Sequence, residues 1–340
     1  MFTRHRSILT RLLVFLFLSL PGTNEALLAD ENPDKSASSV RPVQVAMRNV
    51  DYHYTPDISV HILLLEGELL PTKPPQIVVF DDKDSFLLSM AYSEIAMNFN
   101  SLANVLNQRV FAANDAPIKD VSIRSKGNEL VIRGKLHKKG EIPFETTGTI
   151  SPTPDGRIRL HAEKVTAAHL PVKGLMDLLG LDIAALINTK KVRGVAAEKD
   201  DLLLDPQEIL PPPRIQGKVT QVRIQGNEII QIFGQKQQAK LEPEIPGNYM
   251  AYRGSELRFG KLTMHDTDMV LLDMDPQDPF DFYLDHYKDE LVAGYTKTTP
   301  NFGLRVYMRD FNKLKQPSAR QSASQSQPAR SPRNEERSSR

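Results

Sequence analysis

The chain of 340 residues contains no cysteine and no tryptophan. Without thiols, structural disulfides, Cys-ligated zinc or iron–sulfur centres, a thiol nucleophile and a cysteine-borne lipid anchor are all excluded. Neither sign of charge dominates: 43 Lys and Arg stand against 42 Asp and Glu, a net charge of +1. Long hydrophobic runs are missing too. Leu12–Leu20 (LLVFLFLSL) is a run of nine, whereas a membrane helix needs about 20 residues, and no later stretch is long enough either. With 40% apolar and 25% charged residues, the composition is that of a globular protein. Collagen-like, coiled-coil, polytopic and wholly disordered chains are set aside. The length suits one large or two medium domains.

The short apolar run has a clear context. Arg4, Arg6 and Arg11 surround its start, Pro21 and Gly22 end it, and Thr23–Ala26 offers small or polar residues. This is the layout of a secretory signal peptide over residues 1–26, with an uncleaved interfacial anchor as the alternative. The expectation is an exported protein, periplasmic or associated with the cell envelope.

Charge is unevenly spread. Three arginines against Glu25 give residues 1–26 a charge of +2, and residues 313–340 carry +5, which leaves −6 on residues 27–312. An acidic core lacks the concentrated basic face of a nucleic-acid-binding domain, so no nucleic-acid partner is expected. From Gln316 onward the tail QPSARQSASQSQPARSPRNEERSSR has almost no large apolar residue. The expectation for 313–340 is a disordered basic tail, either simply solvated or loosely tethered to anionic membrane headgroups or wall polymer.

The middle of the chain alternates with a period of two. Val121 and Ile123 lead to a turn at Ser125–Asn128; Leu130, Ile132, Gly134 and Leu136 share one face. Lys138-Lys139-Gly140 turns the chain into Ile142, Phe144, Thr146, Gly148 and Ile150, and Pro154-Asp155-Gly156 turns it again into Ile158 and Leu160. These are consecutive antiparallel hairpins. A sheet with one apolar face must cover it with another layer or with a ligand. The segments IRSKGNELVIRG and RIQGNEIIQIFG share Gly-Asn-Glu at the bend; two hairpins meeting one turn requirement account for this as well as a repeat does.

Two helices are predicted within this region. Over Ser93–Phe111, Ile95, Phe99, Leu102, Leu106 and Val110 form a stripe, with Asn98, Asn100, Asn104, Asn107 and Gln108 filling much of the rest. Val172–Lys190 is apolar nearly all round, and Gly180 breaks or kinks it. Such a helix is core, or it lines an apolar cavity or meets a membrane interface. Val43–Met47 and Ile58–Leu64 read as strands, Asp205–Pro213 as a rigid extended connector, and Leu257–Leu262, Met269–Leu272 and Leu304–Met308 as strands of a last unit. The segments are therefore a β region over 27–84, an α+β core over 85–234, a β-rich unit over 245–312 and the tail.

Motifs for chemistry are sparse. No nucleophile elbow, P-loop, dinucleotide fingerprint or paired zinc histidines occur, so no catalytic residue and no cofactor is assigned. Asp273, Asp275 and Asp278 lie close enough in sequence to begin a calcium loop, but Asp278 sits where such a loop needs glycine, and Leu284 where it needs glutamate. Turn and cap chemistry is the alternative, with Asp281 as N-cap of Phe282–Leu291.

From SFLLSMAYSEIAMNFNSLANVLNQRVF through the hairpins to DGRIRLHAEKV, then HLPVKGLMDLLG and the return strands, the chain over about residues 85–234 resembles the exported bacterial LmeA-like phospholipid-binding group. That group is related to the tubular lipid-binding (BPI-like) superfamily. The resemblance implies an α+β fold in which a long curved antiparallel sheet wraps one or two helices, leaving an apolar groove. The groove candidates are Leu130, Ile132, Leu136, Ile142, Phe144 and Ile150, capped by Leu175, Met176 and Leu179. A nine-residue strand such as Glu129–His137 reaches about 30 Å, comparable with the hydrocarbon thickness of a bilayer. The functional expectation is a protein that binds phospholipid or another acyl-chain amphiphile, for transport or sensing. The alternatives are a non-catalytic envelope scaffold with a filled interior, and, third, an enzyme acting through the aspartate-rich segment.

Overall fold

A computed structural model of the chain describes residues 42–73, 77–137, 141–167, 170–171, 192–236 and 245–314. The expected signal peptide, the apolar segment Val172–Lys190 with Leu175, Met176 and Leu179, and the tail beyond Leu314 lie outside the described residues.

Among the described residues β-structure dominates, in three sheets. The first has the order β13 (Val219–Gln225), β14 (Glu228–Gly234), β4 (Phe86–Asn98), β2 (Ile58–Pro71), β1 (Val43–Thr55), β15 (Tyr249–Gly254), β18 (Thr267–Asp273), β21 (Leu304–Met308) and β20 (Tyr295–Thr298). Beside it, β12 (Arg214–Gln216) pairs with β4 and β19 (Phe280–Tyr283) with β1. The second sheet runs β10 (Val195–Glu198), β11 (Asp201–Leu204), β8 (Ile158–Ala167), β7 (Glu141–Pro152), β6 (Glu129–His137) and β5 (Ile118–Lys126), with β9 (Leu170–Pro171) on β8. The third is small: β17 (Leu262–Met264), β16 (Leu257–Phe259) and β3 (Val78–Val79). Most pairings are antiparallel; β4–β12, β1–β19, β18–β21 and β3–β16 are parallel.

The hairpins predicted between Val121 and Leu160 form β5 to β8. Their first turn is the pair Gly127-Asn128, and the β13–β14 turn is Gly226-Asn227. Both glycines have positive φ, +63° and +60°, the backbone that a first turn residue adopts at little cost only when it is glycine. The two look-alike hairpins belong to different sheets and meet at their ends, where Ser125 Oγ donates to Gly226 O at 2.9 Å.

Strand β1 changes neighbour midway. Its first half pairs with β15 up to Arg48, its second half with β19 from Val50. Asn49 lies at the switch with φ +53°, and Asn49 Nδ2 donates to Asn248 Oδ1 at 2.7 Å. An asparagine tolerates this conformation better than most residues.

Among the described residues helix is scarcer than the α+β expectation, and three readings change. The helix predicted from Ser93 begins at Phe99: Ser93–Asn98 extends β4, held between β2 and β14. The helical part is α1 (Phe99–Val105), continued by a π-turn over Leu106–Val110 that is closed by Phe111 N–H donating to Leu106 O at 2.7 Å. The Asp205–Pro213 connector is not extended throughout. Pro206–Ile209 forms α2, capped by Asp205, whose Oδ1 accepts from Gln207 N at 3.0 Å; proline at the first helical position loses no bond. Asp281 caps no helix. It lies inside β19, and a 3₁₀ turn (Leu284–His286) precedes α3 (Tyr287–Val292).

The asparagines of α1 pin it to both sheets. Asn98 Oδ1 accepts from Ser101 N at 2.8 Å as N-cap, worth roughly 1 kcal/mol. Toward the first sheet, Asn104 Nδ2 donates to Asp57 O at 2.8 Å and Ser59 N donates to Ser101 Oγ at 3.1 Å. Toward the second, Asn107 exchanges two bonds of 2.8 Å with the backbone of Val121, where a register shift has left β5 without its ladder partner. The apolar side of α1 is buried through Phe99, Leu102 and Val105, in one hydrophobic cluster with β1, β2, β4 and β6.

Candidate functional site

Two apolar cavities lie where α1 faces the second sheet. The first is bounded by Leu106 and Phe111 after the helix, Ile118 and Val121 of β5, Ile132 and Leu136 of β6, Phe144 of β7 and Leu160 of β8. The second adjoins Leu102 and Val105 of α1, Leu130 of β6, Ile150 of β7, Leu204 of β11, Ile209 of α2 and Ile229 of β14. Leu106, Ile132, Leu160 and Leu202 belong to both walls. Their interior space is about 60 and 50 Å³, room for several water-sized groups.

Local sequence explains the shape. Leu130 and Ile132 are two apart on β6 and so share a face. Gly134 stands opposite Phe144, and a Cβ on it would lie 2.9 Å from the Phe144 ring and from Lys119 O. The missing side chain lets the ring lie across β6 toward the first cavity. Polar groups on the walls are few: Thr146 and Asp200 in the first, Gln231 in the second. Thr146 Oγ1 is buried with no hydrogen-bond partner among the described residues.

Of the expected groove residues, Leu136 and Phe144 line the first cavity, Leu130 and Ile150 the second, and Ile132 both. Ile142 does not. It lies at the start of β7 opposite Leu136 and is 39% exposed, beyond the part of the sheet that the helix and the first sheet cover. Leu175, Met176 and Leu179 lie outside the described residues. Sequence reasoning missed Leu102, Leu106, Leu202, Ile209 and Ile229. The stripe on α1 was the available signal for the first two; nothing local marks the others.

The aspartates assemble differently from a calcium loop. Asp273 turns inward: Asn248 Nδ2 donates to its Oδ2 at 2.8 Å, and Asp275 N donates to its Oδ1 at 2.7 Å. Burial pushes its carboxyl up to about 6. Asp275 and Asp278 converge instead with Asp310, around the ammonium of Lys313 at 2.8, 2.7 and 2.9 Å. Those contacts hold the Asp275 carboxyl below its ordinary range and push the Lys313 amine up. The chain's own cation thus meets the charge of the cluster.

Among the described residues, three histidines of the strands are each paired with an acid. His53 Nε2 lies 2.9 Å from Asp281 Oδ1, His61 Nδ1 2.5 Å from Asp51 Oδ1, and His161 Nδ1 2.7 Å from Asp201 Oδ1. Close to His53 and Asp281 sits Glu290 of α3, fully buried. Tyr283 N donates to its Oε1 at 2.9 Å, and its Oε2 has no partner among the described residues. Burial, aided by the charges of Asp281 and Asp310, pushes its carboxyl up to about 9.

No described helix is long and apolar enough to cross a membrane. Set against known proteins, the chain matches no protein-family model, no curated protein and no solved structure.

Proposed function

We propose that this is an exported envelope protein that holds the acyl chain of a phospholipid or similar amphiphile between α1 and the second sheet. The observation that carries the reading is the pair of abutting cavities with four residues in common and almost wholly apolar walls. A buried methylene gains about 0.8 kcal/mol, so even five or six of them offset much of the ordering cost of binding. A site of this kind needs neither nucleophile nor metal. In this reading the second sheet curves around α1, as the resemblance to the tubular lipid-binding superfamily implies, and the headgroup stays at the mouth.

The experiment is organic extraction of the purified protein followed by mass spectrometry, with uptake of labelled phosphatidylethanolamine from vesicles as the second arm. Saturable uptake is expected, falling at least tenfold in Ile132→Trp, which fills the wall shared by both cavities. A preparation that is lipid-free and takes up no label overturns the proposal and favours the scaffold reading, in which the same surfaces serve packing alone.

A further inference from the structure

The wall of the first cavity holds one hydroxyl set among hydrocarbon. Thr146 follows Phe144 by two residues on β7, so the two side chains share a face, and both line this cavity. The residues opposite Thr146 are Ile132 on β6 and Val165 on β8, and they line it too. Register and cavity wall thus agree on the side to which Thr146 turns.

Thr146 Oγ1 is buried and has no hydrogen-bond partner among the described residues. Other threonine hydroxyls reach a backbone carbonyl. Thr72 donates to Asp84 O, Thr166 to Glu145 O, Thr220 to Gly234 O and Thr267 to Ser255 O, at 2.6–3.3 Å. At Thr146 both edges of β7 are taken by β6 and β8, and the facing side chains are apolar. The other polar residue of this wall, Asp200, lies in the β10–β11 turn, where its backbone oxygen accepts from Ala162 N at 2.9 Å.

A buried hydroxyl without a partner is costly, and an occupant that supplies one removes the cost. A methylene cannot do so. A hydroxyl on the occupant can, because each of the two groups both donates and accepts. The interior space of about 60 Å³ has room for several water-sized groups, which suits a short stretch of chain bearing one oxygen.

We infer that the chain received by the first cavity is a hydroxyacyl chain whose oxygen pairs with Thr146 Oγ1. This rests on the acyl-chain reading given above and narrows its ligand class.

The test measures octadecanoic acid against 3-hydroxy-, 10-hydroxy- and 12-hydroxyoctadecanoic acid on the full chain, by displacement of a pyrene-labelled fatty acid. At least one hydroxylated isomer should bind more tightly than octadecanoic acid by about three- to tenfold, the factor of one hydrogen bond. A site with a buried hydroxyl discriminates against the analogue that leaves it unpaired. Thr146→Val keeps the shape without the oxygen and should abolish this preference while binding octadecanoic acid no more weakly. Thr146→Ser keeps the hydroxyl and should retain the preference. If octadecanoic acid binds as tightly as every hydroxylated isomer, the inference is overturned whether or not the variants fold. The acyl-chain reading then stands, with ordered water as the partner of Thr146. A preference that persists in folded Thr146→Val overturns the inference as well. Binding of none of the four acids overturns the acyl-chain reading itself, and this inference with it.

Discussion

Glu290 makes the stability of the fold depend on pH in a way that can be calculated. Its carboxyl is fully buried on α3, with its ordinary value of 4.5 pushed up to about 9. Between those values the unfolded chain has released the proton and the folded protein retains it. The folded state therefore binds one proton more, and the free energy of unfolding falls as pH rises, by about 1.4 kcal/mol per unit. The contribution is intact below about pH 4.5 and has been lost once pH passes about 9, a total of roughly 6 kcal/mol, comparable with the whole stability of many domains. Glu290→Gln keeps an oxygen to accept the Tyr283 N–H and removes the titration. Urea denaturation of both proteins at intervals from pH 5 to 9, followed by far-ultraviolet circular dichroism, should give curves that coincide near pH 5 and separate steadily. At pH 8 the variant should be the more stable by about 4 kcal/mol. Asp273, raised to about 6, contributes a slope of the same sign at lower pH, but it is common to both proteins and cancels in the difference. Parallel curves across the whole range would refute the assignment of a proton to buried Glu290.

Two further predictions probe the framework around the cavities. Asn107→Ala removes both bonds to the Val121 backbone and should lower stability by about 2 kcal/mol, because a partly buried amide and carbonyl lose their partners together. Asn107→Asp, which still accepts from Val121 N, should fall between, and urea titration reads both. Gly148→Ala places a Cβ against the backbone oxygen of His161 at the β7–β8 register shift and should cost about 1–3 kcal/mol or more through the backbone movement it forces. Gly127→Ala is the comparison. Space there is open but φ is +63°, so the loss should be near 1 kcal/mol; thermal melts rank the two.

What could be read from the sequence follows from what side-chain periodicity encodes. Alternation along β5 to β8 gave the hairpins and, through Leu130, Ile132, Leu136, Phe144 and Ile150, the apolar face that the cavities occupy. Alternation assigns a face but not the point where the opposing layer ends, and Ile142 has the right parity yet lines neither cavity and is exposed. Ser93–Asn98 failed for a related reason. The step of four from Ile95 to Phe99 continues the helical stripe, yet Ile95 and Met97 also alternate, and the decision falls to β2 and β14, neither adjacent in sequence. The aspartates repeat the lesson in charge. Asp273, Asp275 and Asp278 are neighbours along the chain, but the group that forms replaces Asp273 with Asp310 and adds Lys313, brought in by the 3₁₀ turn after β21. Even Tyr52, Tyr54 and Tyr252, which no motif joins, line one further cavity with Phe80 and Phe282, and between the first two and the third β1 turns at Asn49 and exchanges β15 for β19. One strand then supplies Tyr52 and Tyr54 to a pocket whose third phenol, Tyr252, hangs from the neighbour it has left. Local pattern sets which side chains face inward; the non-local order of the sheets decides which of them share a cavity.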